Sequence, residues 1–186
     1  MRSWALIFFI WWGLAVVGYG QDVFYTKTGK VHFYSQAPFE DIEANSNQMT
    51  AFLNKANGEL RFRIPISSFE FPNSLMQKHF NTQYMESQTY PYAEFKGNIQ
   101  DHETVFEQIT HAPMSVEVVG ELTIRNISKK RTFTAKLQQM EDGYAGSSVF
   151  YVPLADHEIK IPKLMFKSIA ETIKVDMVID FLPYTK

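Results

Sequence analysis

Cysteine is missing from all 186 residues. That excludes disulfides, zinc-thiolate sites, iron–sulfur clusters, thiol catalysis and lipid attachment through cysteine. An excess of one charge is missing too: 18 Lys+Arg stand against 20 Asp+Glu, a formal net of −2. A chain this close to neutral lacks the basic footprint of a general nucleic-acid binder and the polybasic segment of a membrane-surface protein. Disorder is excluded by the 45% hydrophobic content together with the small net charge. No uncharged apolar run reaches the roughly 20 residues that a bilayer-spanning helix needs. Gly-x-Ser-x-Gly, P-loop, Gly-x-Gly-x-x-Gly and H-E-x-x-H patterns are all absent.

The tryptophans are confined to Trp4, Trp11 and Trp12. They sit in a segment with a basic start at Arg2, an apolar run from Trp4 to Val17, and small residues Gly18 and Gly20 flanking Tyr19. This is the layout of a secretory signal peptide cut before Gln21. An uncleaved anchor helix is the alternative, but the run is about 14 residues, short of a bilayer span. Residues 1–20 are therefore read as a cleaved signal and 21–186 as one domain, without a transmembrane segment after cleavage. The mature chain of about 166 residues is long enough to bury about 70% of its unfolded surface without staples. The compartment that follows is a bacterial periplasm or the exterior.

The mature chain alternates. Phe62, Ile64 and Ile66 interleave with Arg61, Arg63 and Pro65; Ala93, Phe95 and Ile99 with Glu94, Lys96 and Asn98. Val116, Val118, Leu122 and Ile124 share one parity, Phe133, Ala135 and Leu137 another, and Ile173, Val175, Met177, Ile179 and Phe181 a third. Such alternation marks strands with one dry and one wet face, as antiparallel sheets have. Thr28-Gly29-Lys30, Asn57-Gly58 and Glu141-Asp142-Gly143 read as turns, and Asn57-Gly58 has the composition of a type I′ hairpin. Asn126 to Lys130 reads as a polar hairpin loop, with Lys129-Lys130-Arg131 at its solvated tip. The count is roughly eight to ten strands, in the range of sandwiches and barrels. Ser74–Met85 and Pro162–Ile169 break the alternation with helical spacing, so one or two short helical insertions are expected. The pattern leaves two solutions open, stacked sheets or one sheet closed on itself.

Candidate chemistry is sparse. The tripeptide Asp-His-Glu occurs at Asp101-His102-Glu103 and Asp156-His157-Glu158. Imidazole plus carboxylate suits several divalent ions; the plainer reading makes both exposed strand ends. No catalytic residue and no metal ligand is assigned. The aromatics Phe69, Phe71, Phe80, Tyr84, Tyr90 and Tyr92 fit either the mouth of an apolar pocket or a mini-core under the helical insertion.

Three stretches carry a resemblance: Phe62-Arg63-Ile64-Pro65-Ile66-Ser67-Ser68-Phe69, Leu75-Met76-Gln77-Lys78-His79-Phe80, and Tyr90-Pro91-Tyr92-Ala93-Glu94-Phe95-Lys96-Gly97. Gly120-Glu121-Leu122-Thr123-Ile124 followed by Ser128-Lys129 adds a fourth. In order and spacing the chain resembles the YceI-like family over about residues 22–182. The resemblance implies an all-β, antiparallel, eight-stranded, lipocalin-like barrel. It implies an exported binding protein, not an enzyme, that sequesters a polyisoprenoid or other long-chain lipid without a cofactor. Two departures stand out: Met76-Gln77 where many members carry Arg-Asp, and Asn126 where many carry Gly. On this reading the lipid-facing wall comprises Phe62, Ile64, Ile66, Phe95, Val118, Leu122, Ile124, Phe133, Val175, Met177 and Ile179. His79 and Tyr84 stand at the mouth. A homodimer is compatible with this reading. Its rivals are a structural, partner-binding barrel with a filled core and a metal-dependent enzyme using the Asp-His-Glu segments.

Overall fold

A computed structural model describes residues 22–36, 41–161 and 169–184. Residues 1–20, where a signal is expected, and 162–168, which make up all but the last residue of the expected second insertion Pro162–Ile169, lie outside the described residues. Eight antiparallel strands follow in chain order: β1 (Val23–Ser35), β2 (Ile42–Asn54), β3 (Glu59–Pro65), β4 (Tyr92–Ile99), β5 (Met114–Ile124), β6 (Ile127–Met140), β7 (Gly143–Pro153) and β8 (Thr172–Pro183). Each pairs with the next, and β1 pairs with β8, so the sheet closes into a barrel. Closure puts every dry face inward and settles the choice between sandwich and barrel. No helix among the described residues is long and apolar enough to cross a membrane.

The inward parity is the one the alternation marks. Phe62 faces Phe95, and Phe95 faces Leu122, across neighbouring strands. Gly97 and Gly120 pair directly on the same inner face. A Cβ on Gly120 would lie 2.4 Å from the Lys96 carbonyl and 2.6 Å from the Phe95 ring; one on Gly97 would meet the Val119 carbonyl at 2.4 Å. Their missing side chains make the room in which the Phe95 ring lies.

Several turn expectations are corrected. Thr28-Gly29-Lys30 is no turn between strands; it is an irregularity inside β1, where the pairing register with β2 shifts. The shift swaps parity, so Phe24 and Thr26 point inward before it and Val31, Phe33 and Ser35 after it. Asn57-Gly58 is no two-residue I′ turn. The loop runs from Lys55 to Gly58, and Gly58 alone of the pair takes positive φ, at 69°. The Asn54 and Asn57 side chains instead accept from the amides of Ala56 and Glu59, each at 3.0 Å. The I′ geometry falls one hairpin further on. Arg125 and Asn126 have φ of 51° and 60°, and Ile124 pairs directly with Ile127. Residues 127–130 are thus strand rather than loop, and Lys129-Lys130-Arg131 runs along β6 instead of capping a tip. Glu141-Asp142-Gly143 does join β6 to β7.

Two α-helices interrupt the meander among the described residues. α1 (Ser74–His79) is capped by Asn73, whose side chain accepts from the Leu75 and Met76 amides at 2.8 and 3.3 Å. Its continuation, Phe80–Tyr84, is a π-helical turn closed by the Met85 amide on the Phe80 carbonyl, 2.9 Å. Asn81 and Thr82 explain the change. Their side chains donate to the carbonyls of Gln77 and Lys78, occupying acceptors four residues back. α2 (His102–Gln108), between β4 and β5, has no counterpart in the sequence expectations.

Candidate lipid-binding cavity

The barrel has two unlike ends. At one end, where β1 begins and β8 finishes, the interior is filled. Leu53 is 0% and Val118 1% exposed, with Ile99, Leu137, Ile179 and Phe181 buried around them. Phe24 meets Tyr144 edge-on at 4.9 Å, and Phe106 from α2 meets the same ring at 5.4 Å. α2 is the lid of this end.

At the opposite end the inward side chains line a void. The cavity is about 200 Å³ and almost wholly apolar. β3 contributes Phe62 and Ile64, with Ile66 just beyond it; β5 contributes Leu122 and Ile124; β8 contributes Ile173, Val175 and Met177. His79 and Tyr84, from α1 and the π-helical turn, complete the rim. Of the other residues expected in the wall, Val118 and Ile179 lie in the filled end. Phe95 and Phe133 lie between the two ends in a belt of rings: Phe62 on Phe95 at 5.0 Å, Phe95 against Phe133 at 5.3 Å, Phe133 on Phe150 at 5.2 Å.

The aromatics of the helical insertion do both jobs that the sequence left open. Phe80 packs on Phe33, Phe69 and Phe71 with centroids 5.0 to 5.6 Å apart. All four also line the cavity. Tyr90 and Tyr92 do not; they lie under Arg125 and Arg63 at 5.4 and 4.7 Å. Sequence reasoning missed β1 and β7 as wall strands. Val31 and Phe33 were hidden by the parity swap in β1. Phe150 and Val152 were hidden because the inward positions before them are Gly146 and Ser148.

Polar groups at this end are few. Ser35 lines the cavity, and its hydroxyl accepts the Ala170 amide at 2.9 Å. Burial pushes the Tyr84 phenol up from its ordinary value. Around the rim Arg125 ties three segments together: it pairs with Glu86, donates to the Glu158 carbonyl at 2.7 Å and lies over Tyr90. Arg131 meets Asp156 at 2.5 Å and holds that carboxyl below its usual value, chiefly through this hydrogen bond.

Neither Asp-His-Glu segment is a strand end, although Asp101 and Glu103 are exposed. Asp101-His102-Glu103 opens α2 at the filled end, and Asp156-His157-Glu158 lies in a 3-10 turn at the other. His157 is 0% exposed. Its Nδ1–H donates to the Ile127 carbonyl at 3.0 Å, and its Nε2 has no partner among the described residues. Burial pushes its pKa down. Among the described residues no cluster of three or more His, Asp or Glu is placed to hold a metal.

The family model of the YceI-like domain matches residues 23–181. The chain belongs to the YceI-like family. Among solved structures, a polyisoprenoid-binding domain from Saccharophagus degradans superposes with a TM-score of 0.77 at 15% identity, covering 88% of this chain and 99% of that one. BcnA from Burkholderia cenocepacia gives 0.66 at 16% identity, over 81% and 94% of the two chains. The YCEI protein of Campylobacter jejuni gives 0.57 at 14%, over 77% and 85%. These likenesses establish a shared fold. No curated protein sequence matches. This YceI-like barrel carries its cavity in the family fold, and Met76 of α1 lies on the cavity wall.

Proposed function

We propose that this YceI-like barrel is an exported, non-enzymatic protein that sequesters a polyisoprenoid or other long-chain amphiphile. The observation that carries the reading is the apolar void of about 200 Å³ in one half of the barrel. A hydrocarbon tail entering it leaves water along Phe62, Ile64, Ile66, Leu122, Ile124, Val175 and Met177. Each methylene buried contributes about 0.8 kcal/mol before ordering costs. The head group stays at the rim with Ser35, His79 and Tyr84, where a hydroxyl, an imidazole and a phenol offer polar contacts. The Saccharophagus degradans domain, described as polyisoprenoid-binding, supports the ligand class.

Protein purified from its host and sprayed under native conditions tests this directly. The expected spectrum contains a lipid-sized mass added to the chain, and organic extraction returns a prenyl compound. A bare chain mass in repeated preparations contradicts the reading and leaves the partner-binding barrel in its place. Edman sequencing of the same material should start at Gln21; a start at Met1 contradicts the export step.

A further inference from the structure

The barrel wall is incomplete on one side. Pairing between β6 and β7 runs from Met140↔Gly143 to Ala135↔Ser148 and stops there. Beyond that point β6 keeps its pairing with β5 down to Ile127, and β7 keeps its pairing with β8 up to Pro153. Ile127–Thr134 and Val149–Pro153 thus part company over the half of the barrel that holds the cavity. The Ser148 hydroxyl marks the fork by donating to the Thr134 carbonyl at 2.9 Å. At the far end the gap is bridged by Arg131 on Asp156 and by His157 on the Ile127 carbonyl. What lies between is a slot bounded above and below by hydrogen bonds.

The slot leads inward. Thr132, Phe133, Thr134, Val149, Phe150 and Tyr151 form its sides, and Phe62, Phe95 and Leu122 lie behind them. Phe62, Leu122 and Phe150 also line the main cavity, so the two spaces share a wall. What fills the slot is a pair of rings, one from each strand: Phe133 and Phe150 stack at 5.2 Å and 22°. On the outside the rim is apolar on the β7 side, with Val149 53% and Tyr151 61% exposed. The β6 side carries Lys129, Lys130 and Arg131, and positive charge on an open strand edge discourages a further strand from adding to it.

Building on the lipid-binding reading, we propose that the slot between β6 and β7 is a lateral portal, gated by the Phe133–Phe150 ring pair, through which the ligand's hydrocarbon tail enters and leaves the barrel. The size of the cavity argues for it. At about 200 Å³ it is smaller than the roughly 300–1,000 Å³ of ordinary ligand pockets. A long tail must extend out of it, and the slot, whose lining mixes the rings of Phe133 and Phe150 with Arg131, Thr132 and Thr134, opens beside the cavity. Rotation of two side chains opens it, with no strand pairing to break.

The absence of cysteine makes the test clean. Thr132 and Tyr151 are exposed and would face each other if the pairing continued. A Thr132→Cys, Tyr151→Cys double variant is bridged with a flexible bismaleimide, and a second sample is capped with N-ethylmaleimide. Release of a fluorophore-tagged prenyl alcohol into phosphatidylcholine vesicles is followed by stopped flow. Bridging should slow release about tenfold or more relative to the capped sample, as expected when an opening step limits release. Phe133→Ala should speed release by about as much in the unmodified chain. Equal rates in bridged and capped samples overturn the portal while leaving the lipid-binding reading standing. A wild-type protein that retains no probe on gel filtration overturns both.

Discussion

The same eight strands build both ends of this barrel, yet Leu53 and Val118 at one end are sealed from solvent while Ile173 and Val175 at the other stand half-buried around a void. The strands differ between the ends, since β6 and β7 pair only from Met140↔Gly143 to Ala135↔Ser148. The side chains differ as well. At the filled end Phe24, Tyr144 and Phe106 interlock edge to face under the α2 lid. At the hollow end the large rings of Phe33, Phe69, Phe71 and Phe80 are drawn to one side by packing on each other. A barrel of this size can be filled by side chains or leave room for one ligand; here one half is filled and the other keeps a void. The aromatic belt through Phe62, Phe95 and Phe133 divides them.

The largest effect is expected at the belt. Gly120→Val places carbon against the Lys96 carbonyl as well as the Phe95 ring. A backbone atom cannot swing aside, so urea denaturation should show a loss of about 3 kcal/mol or more, at the upper end for overpacking. A variant as stable as wild type contradicts the packed belt. Next comes a matched pair of truncations. Leu53→Ala opens a new cavity and should cost about 3 kcal/mol. Val175→Ala enlarges one that already exists and should cost about 1 kcal/mol while weakening prenyl-probe binding. Equal stability losses would erase the distinction between the ends.

A pH effect is expected at the hollow end. Burial keeps His157 neutral by lowering its pKa, and the charge of nearby Arg131 acts in the same direction. The unfolded chain takes up that proton near the ordinary histidine value of about 6.5, while the folded chain resists it. Stability from this group is therefore intact above about pH 6.5 and falls as the pH drops below it. Melting curves at pH 7.5 and 5.5 should separate, and His157→Gln should narrow the separation. An unchanged separation in the variant contradicts the assignment. The smallest effect is expected on the outer wall: Lys130→Ala on β6 should change stability by less than about 0.5 kcal/mol, as measured by the same denaturation.

Legibility in the sequence varied from strand to strand. The inward parity of β3, β4, β5 and β8 was readable because Phe62, Phe95, Leu122 and Met177 sit in unbroken alternation. β1 was not, since the irregularity at Thr28-Gly29 swaps its parity midway. α2 was not either: seven residues give Val105 and Phe106 too short a run to declare a helical period. The hairpin at Arg125-Asn126 was misplaced because a two-residue I′ turn with arginine lacks the glycine that usually marks it. Wall residues were legible as inward-facing but not as lining or filling. That choice depends on where α2 and the π-helical turn sit along the barrel axis, and alternation carries no information about position along that axis.

The most direct test of a barrel with one hollow half reads both halves in a single titration. Methyl groups of Ile64, Val175 and Met177 report on the cavity; those of Leu53, Val118 and Ile179 report on the filled end. With a prenyl alcohol added to isotope-labelled protein, the first set should shift in the NMR spectrum and the second should stay in place. Shifts spread equally over both sets, or confined to outward-facing Val178 and Leu182, would contradict the account.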